Sequence, residues 1–188
     1  AYRDVNIAFA NEISMISHEF GINDREIISI ANKHPRVNIL NPGCGVGGHC
    51  IAVDPWFIAS QIPEKSNLIQ SAREVNTNKT EWSIKFIEDN INNLAKVINR
   101  KPIVGIFGIT FKQDIDDIRE SPALYIAEKL SENGNHILIC EPNLKKLSGF
   151  NILSSDEVLM QADISVFLVP HSQFKNIEFG KKLIIDFC

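Results

Sequence analysis

The residues with the clearest chemical potential lie in one glycine-rich stretch that ends in a cysteine. Residues 41–50 read NPGCGVGGHC. Glycine permits positive φ and leaves room where a Cβ would clash, so the backbone can pass close to a ligand here. The exposed N–H groups of such a stretch suit a phosphate or a developing oxyanion. Cys50, at its end, is a candidate nucleophile towards an aldehyde.

Cys50 and Asp54 each allow two interpretations. A nearby helix N-terminus or cation would favour the thiolate of Cys50, and Asp54 would then handle a proton or a water beside it. Alternatively, Cys50 is a small buried hydrophobe beneath a turn. Asp54 would in that case simply cap a helix whose first residue is Pro55.

The same stretch matches the dinucleotide pattern G-x-G-x-x-G through Gly43, Gly45 and Gly48. That fingerprint requires a preceding strand and an acidic residue ~20 positions later, after a second strand. Here the upstream sequence is helical with a proline break, and Asp54 follows Gly48 by only six residues. We therefore reject a dinucleotide site in this stretch.

Composition excludes several functional classes. The 188 residues are 44% hydrophobic and 22% charged, with a net charge of −4, so we expect a globular protein with no nucleic-acid or membrane partner. The four cysteines show no zinc-ligand spacing, which predicts no metal site and reduced thiols in the cytoplasm. Because the chain opens directly into a helical pattern and stops after a strand-like run, we expect a piece of a longer protein.

The first hundred residues show helical periodicity. A first helix presents one apolar face, made of Phe9, Ile13, Ile16 and Phe20. Gly21 suits its C′ position. Asn23 with Glu26 predicts the capped start of a second helix that reaches about residue 32. Further helices are expected from Pro55, over about 65–76 and over 79–98.

After a break near residues 100–102, strand and helix signals alternate. Strands are predicted at 103–109, 136–140, 164–169 and 183–187, and helices at about 122–133 and 155–161. This alternation predicts a doubly wound parallel sheet, which binds ligands at the carboxyl ends of its strands. The predicted fold class is therefore α/β, with a helical region over 1–100 and a Rossmann-like sheet domain over 101–188.

Several motifs, taken together and in order, resemble the UDP-glucose/GDP-mannose dehydrogenase family. The motifs are RDVNIAFANE at residues 3–12, HPRVN at 34–38, GVGGHCIAVDP at 45–55, FK at 111–112 and DIRESP at 117–122. The HPRVN segment and His49 are most similar to the UDP-N-acetylmannosamine 6-dehydrogenase branch. The resemblance covers nearly the whole chain.

The resemblance implies an architecture and a cofactor. Such enzymes have an N-terminal NAD-binding domain, a central helical dimerisation domain and a C-terminal domain for the UDP-sugar. This chain resembles the central and C-terminal parts, so most of the NAD contacts and the family's catalytic lysine and asparagine would precede Ala1. A homodimer through the central helices is implied, and the isolated chain is expected to be inactive.

The resemblance also implies a reaction and a set of site residues. A sugar 6-hydroxyl is oxidised to a carboxylate in two hydride transfers, through a thiohemiacetal and a thioester on Cys50, with Asp54 near the hydrolytic water. Arg119 corresponds to a position that meets NAD. The implied substrate contacts are Arg3, His34, Arg36, Gly47, Phe111 and Lys112, of which His34 and Arg36 would come from the dimer mate.

Other readings remain open. The substrate could be a UDP-glucose-type sugar, or the chain could be a UDP-sugar-binding dimerisation module that makes no use of Cys50. A cysteine hydrolase built on His49 and Cys50 would have poor geometry, because the two are adjacent. Cys44 replaces the proline that most relatives carry, which raises the hypothesis of a Cys44–Cys50 disulfide that mass analysis of the non-reduced chain would detect.

Overall fold

The computed structural model describes residues 1–177 and 182–188. The helices are α1 Tyr2–Glu19, α2 Asp24–Ala31, α3 Asp54–Gln61, α4 Asn67–Ile98, α5 Pro122–Glu132 and α6 Ser155–Gln161. The strands are β1 Ile103–Phe107, β2 His136–Cys140, β3 Ile164–Phe167 and β4 Leu183–Asp186. Among the described residues, no helix is both long enough and apolar enough to cross a membrane.

The four strands form one parallel sheet in the order β2-β1-β3-β4. The chain moves from β1 to β2 on one side and then returns to place β3 on the other side of β1. The topological switch point therefore lies between β1 and β3, where such sheets bind ligands. The predicted fold class, helices followed by a doubly wound parallel sheet, is confirmed.

Helix α1 packs on α4, but not through the apolar face that the sequence pattern favours for a core. It packs through the opposite face. Phe9 is 50% exposed and Phe20 is 74% exposed. The buried positions of α1 are largely polar: Asp4, Ala8, Ala10, Asn11 and Ser17. The apolar face exists as predicted, but it points away from the rest of the chain.

The prediction of two helices over 65–76 and 79–98 is wrong, because α4 is one helix of 32 residues. Thr77 and Asn78 weaken helical propensity only slightly, and the Thr77 hydroxyl donates to the Arg73 carbonyl inside the helix. Buried residues continue across the expected break, at Asn76, Lys79 and Thr80. Tertiary packing thus holds the helix together until Asn99, which adopts a left-handed conformation at φ 54°.

The second half of α4 belongs to the core of the sheet. Ile84, Ile87 and Ile91 are buried in the same cluster as residues of β1, β3 and α5. One helix therefore carries both the surface that receives α1 and a surface that packs on the sheet side of the molecule.

Most predicted boundaries agree with the structure to within two residues. Asn23 caps α2 through bonds from Arg25 and Glu26, and Ser121 caps α5 ahead of Pro122. Strands β1, β3 and β4 end one or two residues earlier than predicted, since the chain turns there into the loops at the sheet's carboxyl edge. The expectation that Asp54 caps a helix is wrong, because Asp54 is the first residue of α3 and no side chain caps that helix.

Candidate active site

The glycine loop, Gly43–Cys50, is wedged against the segment that follows β1. A Cβ added at Gly47 would lie 2.3 Å from the carbonyl oxygen of Glu120, and one at Gly48 would lie 2.8 Å from the Phe111 ring. Gly48 also has a φ of +83°, which disfavours any other residue. The close approach predicted from the glycines is therefore an approach to the chain's own backbone and to Phe111.

The loop is also fixed to α4 and to the sheet. A Cβ at Gly45 would lie 2.2 Å from Thr80 Oγ1. The buried Cys44 thiol lies 3.7 Å from the carbonyl oxygen of Leu168, just beyond β3. These contacts place the start of the glycine loop between α4 and the carboxyl ends of β1 and β3.

Cys50 lies at the exposed end of the loop, in a turn that precedes α3. The backbone N–H of Asp54 donates to the Cys50 carbonyl oxygen at 2.8 Å, so the two residues are one turn apart. Asp54 is exposed and is the first residue of α3; the cap position is Val53, and no side chain caps the helix. The readings of Cys50 as a buried hydrophobe and of Asp54 as a cap therefore do not hold.

The hypothesis of a Cys44–Cys50 disulfide is not supported. Both thiols are free, and Cys44 is buried while Cys50 is exposed. Burial raises the pKa of the Cys44 thiol to about 12, so the thiolate needed for exchange is scarce there at neutral pH. Cys44 serves as a packing residue in the position that proline is expected to occupy in relatives.

A cavity of about 160 Å³ lies at the switch point of the sheet. Its lining includes Gly43 and Gly45 of the glycine loop, Phe111 and Lys112 after β1, and Pro170 after β3. Gly47 and Phe111, predicted to contact one ligand, are thus in contact with each other. Lys112 is exposed at the same edge.

A buried carboxylate at the end of β2, which the sequence analysis missed, ties together the loops that follow β1, β2 and β3. Glu141 directly follows β2 and accepts hydrogen bonds from the N–H of Ile109 at 2.8 Å, the N–H of Asn143 at 3.0 Å and His171 Nε2 at 2.9 Å. In dinucleotide-binding sheets an acidic residue near the end of β2 binds a ribose. Here the Glu141 oxygens accept hydrogen bonds from the chain's own groups instead.

His171, which follows β3, bonds to Glu141 and holds the loop that carries Phe111 and Lys112. The imidazole is buried, and its Nδ1 accepts a hydrogen bond from the N–H of Asp114 at 2.9 Å. Its proton therefore sits on Nε2, which donates to Glu141. Asp114 has a φ of 58°, an unusual value for a residue with a side chain, so this bond fixes a turn that would otherwise be disfavoured. The sequence contained one signal for this contact: Glu141 is an acidic residue directly after the second predicted strand.

Arg119 lies on the loop that follows Lys112 and is exposed. It forms an ion pair with Asp117 at 2.6 Å. Hydrogen bonds from the Arg119 side chain and backbone lower the pKa of Asp117 to about 2, and the nearby His49 contributes to this shift. The ion pair therefore lies beside the glycine loop.

The remaining predicted contacts lie apart from this edge on the chain. Arg3 is exposed in the first turn of α1, and His34 and Arg36 are exposed after α2. The segment 38–40 is held by Asn6 of α1, which donates to the carbonyl of Asn38 and accepts from the N–H of Leu40. Among the described residues, no group of His, Cys, Asp and Glu is suited to hold a metal ion.

Two family models match the chain, one over each part. Residues 1–78 match the UDP-glucose/GDP-mannose dehydrogenase family, central domain. Residues 105–188 match the UDP-glucose/GDP-mannose dehydrogenase family, UDP binding domain. The chain belongs to the UDP-glucose/GDP-mannose dehydrogenase family. The resemblance seen in the motifs is thereby confirmed.

Relatives within the family carry names that refer to N-acetylated sugars. The chain is 50% identical over 94% of its length to a UDP-N-acetyl-D-mannosamine dehydrogenase of Escherichia coli strain K12, of which it covers 44%. It is 46% identical over 99% of its length to an NDP-N-acetyl-D-galactosaminuronic acid dehydrogenase of Ralstonia nicotianae, of which it covers 45%. The chain thus spans a little under half the length of these relatives.

Solved structures of the family share the fold. A UDP-D-ManNAc dehydrogenase from Pyrococcus horikoshii matches with a TM-score of 0.85 and 34% identity, over 99% of this chain and 45% of that one. A UDP-N-acetyl-mannosamine dehydrogenase from Staphylococcus aureus matches with a TM-score of 0.85 and 39% identity, over 99% and 44%.

Replacement of Gly47 by alanine tests the packing of the glycine loop. The added methyl group would meet backbone and ring atoms that cannot swing away, so Gly47→Ala is expected to lower the free energy of unfolding by about 1–3 kcal/mol. Gly43→Ala is the matched control, since its Cβ would lie 3.8 Å from the nearest atom; its effect should stay within about 0.5 kcal/mol. Denaturant unfolding measures both, and equal effects would contradict the close packing.

The Glu141 cluster predicts a pH dependence of stability. Burial alone would raise the pKa of Glu141, but the bonds from His171, Ile109 and Asn143 outweigh it and lower the pKa below its usual 4.5. A depressed folded-state pKa gives stability that is complete above pH 4.5 and is lost as the pH falls through the folded value. Glu141→Gln should therefore flatten the acid limb of the stability curve and cost about 1–3 kcal/mol at pH 7.

Denaturant unfolding between pH 3 and pH 7 measures this effect. Glu128→Gln, on the exposed side of α5, is the control and should leave both the slope and the free energy at pH 7 nearly unchanged. An acid limb that is as steep in Glu141→Gln as in the unsubstituted protein would show that Glu141 is not the group responsible.

Proposed function

We propose that this chain is the central and C-terminal part of an NAD-dependent UDP-sugar 6-dehydrogenase, with UDP-N-acetylmannosamine as the substrate. One observation carries the proposal: an exposed Cys50 ends a glycine loop that packs on Phe111 at the switch point of a parallel sheet. Residues 1–100 form the dimerisation domain with the cysteine loop, and residues 101–188 form the domain that binds UDP. The protein works in the cytoplasm.

The UDP group binds at the β1–β3 crevice. Lys112 supplies a cation for the diphosphate, and the backbone at Gly47 lines the path of the sugar towards Cys50. Arg36 and His34 reach the site from the second subunit, where a guanidinium can bind phosphate oxygens in a fork. Arg3 approaches the sugar from the first turn of α1. Support comes from the exposure of all four side chains.

The reaction takes four electrons from one carbon. Two NAD⁺ and one water convert the 6-hydroxymethyl group to a carboxylate, with two NADH and three protons as the other products. The Cys50 thiolate adds to the aldehyde formed by the first oxidation and gives a thiohemiacetal. The second oxidation makes this a thioester, which water hydrolyses with Asp54 close by to take up a proton.

NAD supplies the hydride acceptor when it is bound, and this chain offers one contact to it. Arg119 keeps 66% of its side chain exposed although it is paired with Asp117. Its guanidinium therefore retains donors for a diphosphate. Asp117 fixes the direction of the arginine, so the cation is presented beside the glycine loop rather than folded away.

The choice of sugar rests on the relatives. The names of relatives at 45–50% identity refer to N-acetylmannosamine or N-acetylgalactosaminuronic acid. A structural neighbour whose title names a UDP-glucose dehydrogenase is 19% identical, which supports the fold alone. An N-acetylated hexosamine is therefore favoured over a glucose-type sugar.

The homodimer forms through the exposed apolar face of α1. Tyr2, Phe9, Ile16 and Phe20 are 49–77% exposed, and a row of this kind along one helix face is unusual on a monomer. A second copy of the same helix would cover it, as expected of a symmetric interface.

Cys50→Ser in the full-length protein tests the catalytic proposal. Two NADH per UDP-N-acetylmannosamine are expected from the unsubstituted protein. The serine variant should lose steady-state turnover by at least about 10³-fold, because a hydroxyl is a far weaker nucleophile than a thiolate. Absorbance of NADH and the amount of sugar consumed give the ratio, over a panel of UDP-sugars.

Cys188→Ser is the matched control, since Cys188 directly follows β4 and is not part of the glycine loop. It should turn over at the unsubstituted rate. One NADH per sugar would contradict the four-electron reaction. UDP binding without NADH from any sugar would favour the binding-module alternative.

Phe9→Glu tests the dimer face. A charge at the centre of an apolar interface is expensive to desolvate, so the variant should sediment as a monomer at concentrations where the unsubstituted protein is a dimer. Met160→Glu, on α6 at a position that is 83% exposed, should remain dimeric. Analytical ultracentrifugation separates the two, and a dimeric Phe9→Glu would place the interface elsewhere.

A further inference from the structure

A buried chain of hydrogen bonds runs from α1 through α4 to the start of the glycine loop. Arg73 Nη1 and Asn76 Nδ2 donate to Asp4 Oδ1 at 2.7 and 2.8 Å. Asn11 Nδ2 donates to Asn76 Oδ1 at 2.9 Å. The N–H of Gly43 then donates to Asn11 Oδ1, also at 2.9 Å. The four residues are at most 6% exposed. We call this set the Asp4–Gly43 chain.

The Asp4 carboxylate sets the direction of every link. A carboxylate only accepts, so Asn76 must turn its amide nitrogen towards Asp4 and its oxygen towards Asn11. Asn11 must in turn present its nitrogen to Asn76, which leaves its oxygen for the N–H of Gly43. A flip of either amide would place like groups against each other at two links. The orientation of Asn11 is therefore fixed by Asp4, which is two hydrogen bonds away.

The bond to Gly43 fixes the point where the glycine loop begins. From there, Cys44 enters the core and Gly45 passes against Thr80, and the loop continues to Cys50. Asn11 is thus the side chain that ties the first residue of this loop to the helical part. Its oxygen determines where the backbone of Gly43 lies relative to α1 and α4.

The Asp4–Gly43 chain is poorly suited to a role that is purely stabilising. Asp4 Oδ2 and Arg73 Nε are buried without a hydrogen-bond partner, and such groups cost free energy. An apolar contact between α1 and α4 would often stabilise the interface more than a buried ion pair does. Yet α1 turns Asp4 and Asn11 inward and leaves Phe9 exposed.

We infer that Asn11 is a positioning residue for the Cys50 loop, held in place by Asn76 and Asp4. This inference deepens the proposed function, because it assigns to these side chains the placement of the nucleophile relative to a sugar bound at the sheet. Asn11 acts through the backbone of Gly43 and touches no reacting atom. Its loss should slow the chemical step more than it weakens UDP-sugar binding.

The test compares Asn11→Ala, Asn76→Ala and the double variant in the full-length protein. Amide hydrogen exchange of the peptide 41–50 reports the anchoring of the loop without any need for activity. Asn11→Ala should speed this exchange by about 10-fold, as expected for one lost buried hydrogen bond, and leave the β3 peptide 164–167 unchanged. Asn90→Ala is the matched control, since Asn90 lies on α4 and donates to the Phe86 carbonyl of its own helix; it should behave as the unsubstituted protein.

Kinetics give the second readout. Asn11→Ala should lower kcat about 10- to 100-fold through misplacement of the nucleophile, with a change in KM for the UDP-sugar of less than about 3-fold. Because either substitution breaks the Asp4–Gly43 chain, the double variant should lower kcat by about as much as the more severe single variant.

Several results would overturn the inference. The first is an unchanged rate of amide exchange in the peptide 41–50 of a folded Asn11→Ala variant. The second is a change in KM with no fall in kcat. The third is a fall in kcat in the double variant that equals the product of the two single effects. If Asn11→Ala does not fold, the same measurements are made on Asn76→Ala, which breaks the Asp4–Gly43 chain one hydrogen bond further from the glycine loop. An unsubstituted protein that makes no NADH would reject the proposed function, while the exchange data would still decide whether Asn11 anchors the loop.

Discussion

The buried ion pair between Asp4 and Arg73 is the constraint on which the arrangement of the helical part depends. Removing one partner of such a pair leaves an uncompensated charge and costs about 3–5 kcal/mol. Helix α1 can satisfy Asp4 only by turning its polar face towards α4, and this turns Phe9 and its apolar neighbours outward. A single buried charge therefore decides both how the glycine loop is anchored and which surface is left for association.

A second buried polar contact shapes the carboxyl edge of the sheet. A doubly wound sheet binds ligands where its strand order reverses, which is here between β1 and β3. Glu141, which follows β2, and His171, which follows β3, are bonded to each other at this edge. His171 also accepts the hydrogen bond that shapes the turn at Asp114. The loop with Phe111 and Lys112 is thereby held at the edge where the glycine loop meets it.

The sequence predicted the features that depend on neighbours along the chain. Apolar runs bounded by glycine and proline predicted the parallel sheet, and the cap Asn23 predicted the start of a helix. The glycines predicted that the backbone of this loop lies close to another group. They did not reveal that this group is the chain's own backbone and Phe111. The continuity of α4, the burial of α1's polar face and the pairing of Glu141 with His171 depend on contacts between residues far apart in sequence, so local propensity and periodicity could not reveal them.

The uninterrupted helix α4 has a mechanical consequence. At 1.5 Å per residue its 32 residues span about 48 Å, and the rod is seated against α1 at one end and in the sheet's core at the other. The helix contains neither proline nor glycine, which are common sources of a sharp kink. We therefore expect the cysteine loop and the sheet to move together, with any hinge that admits or releases ligands outside this unit.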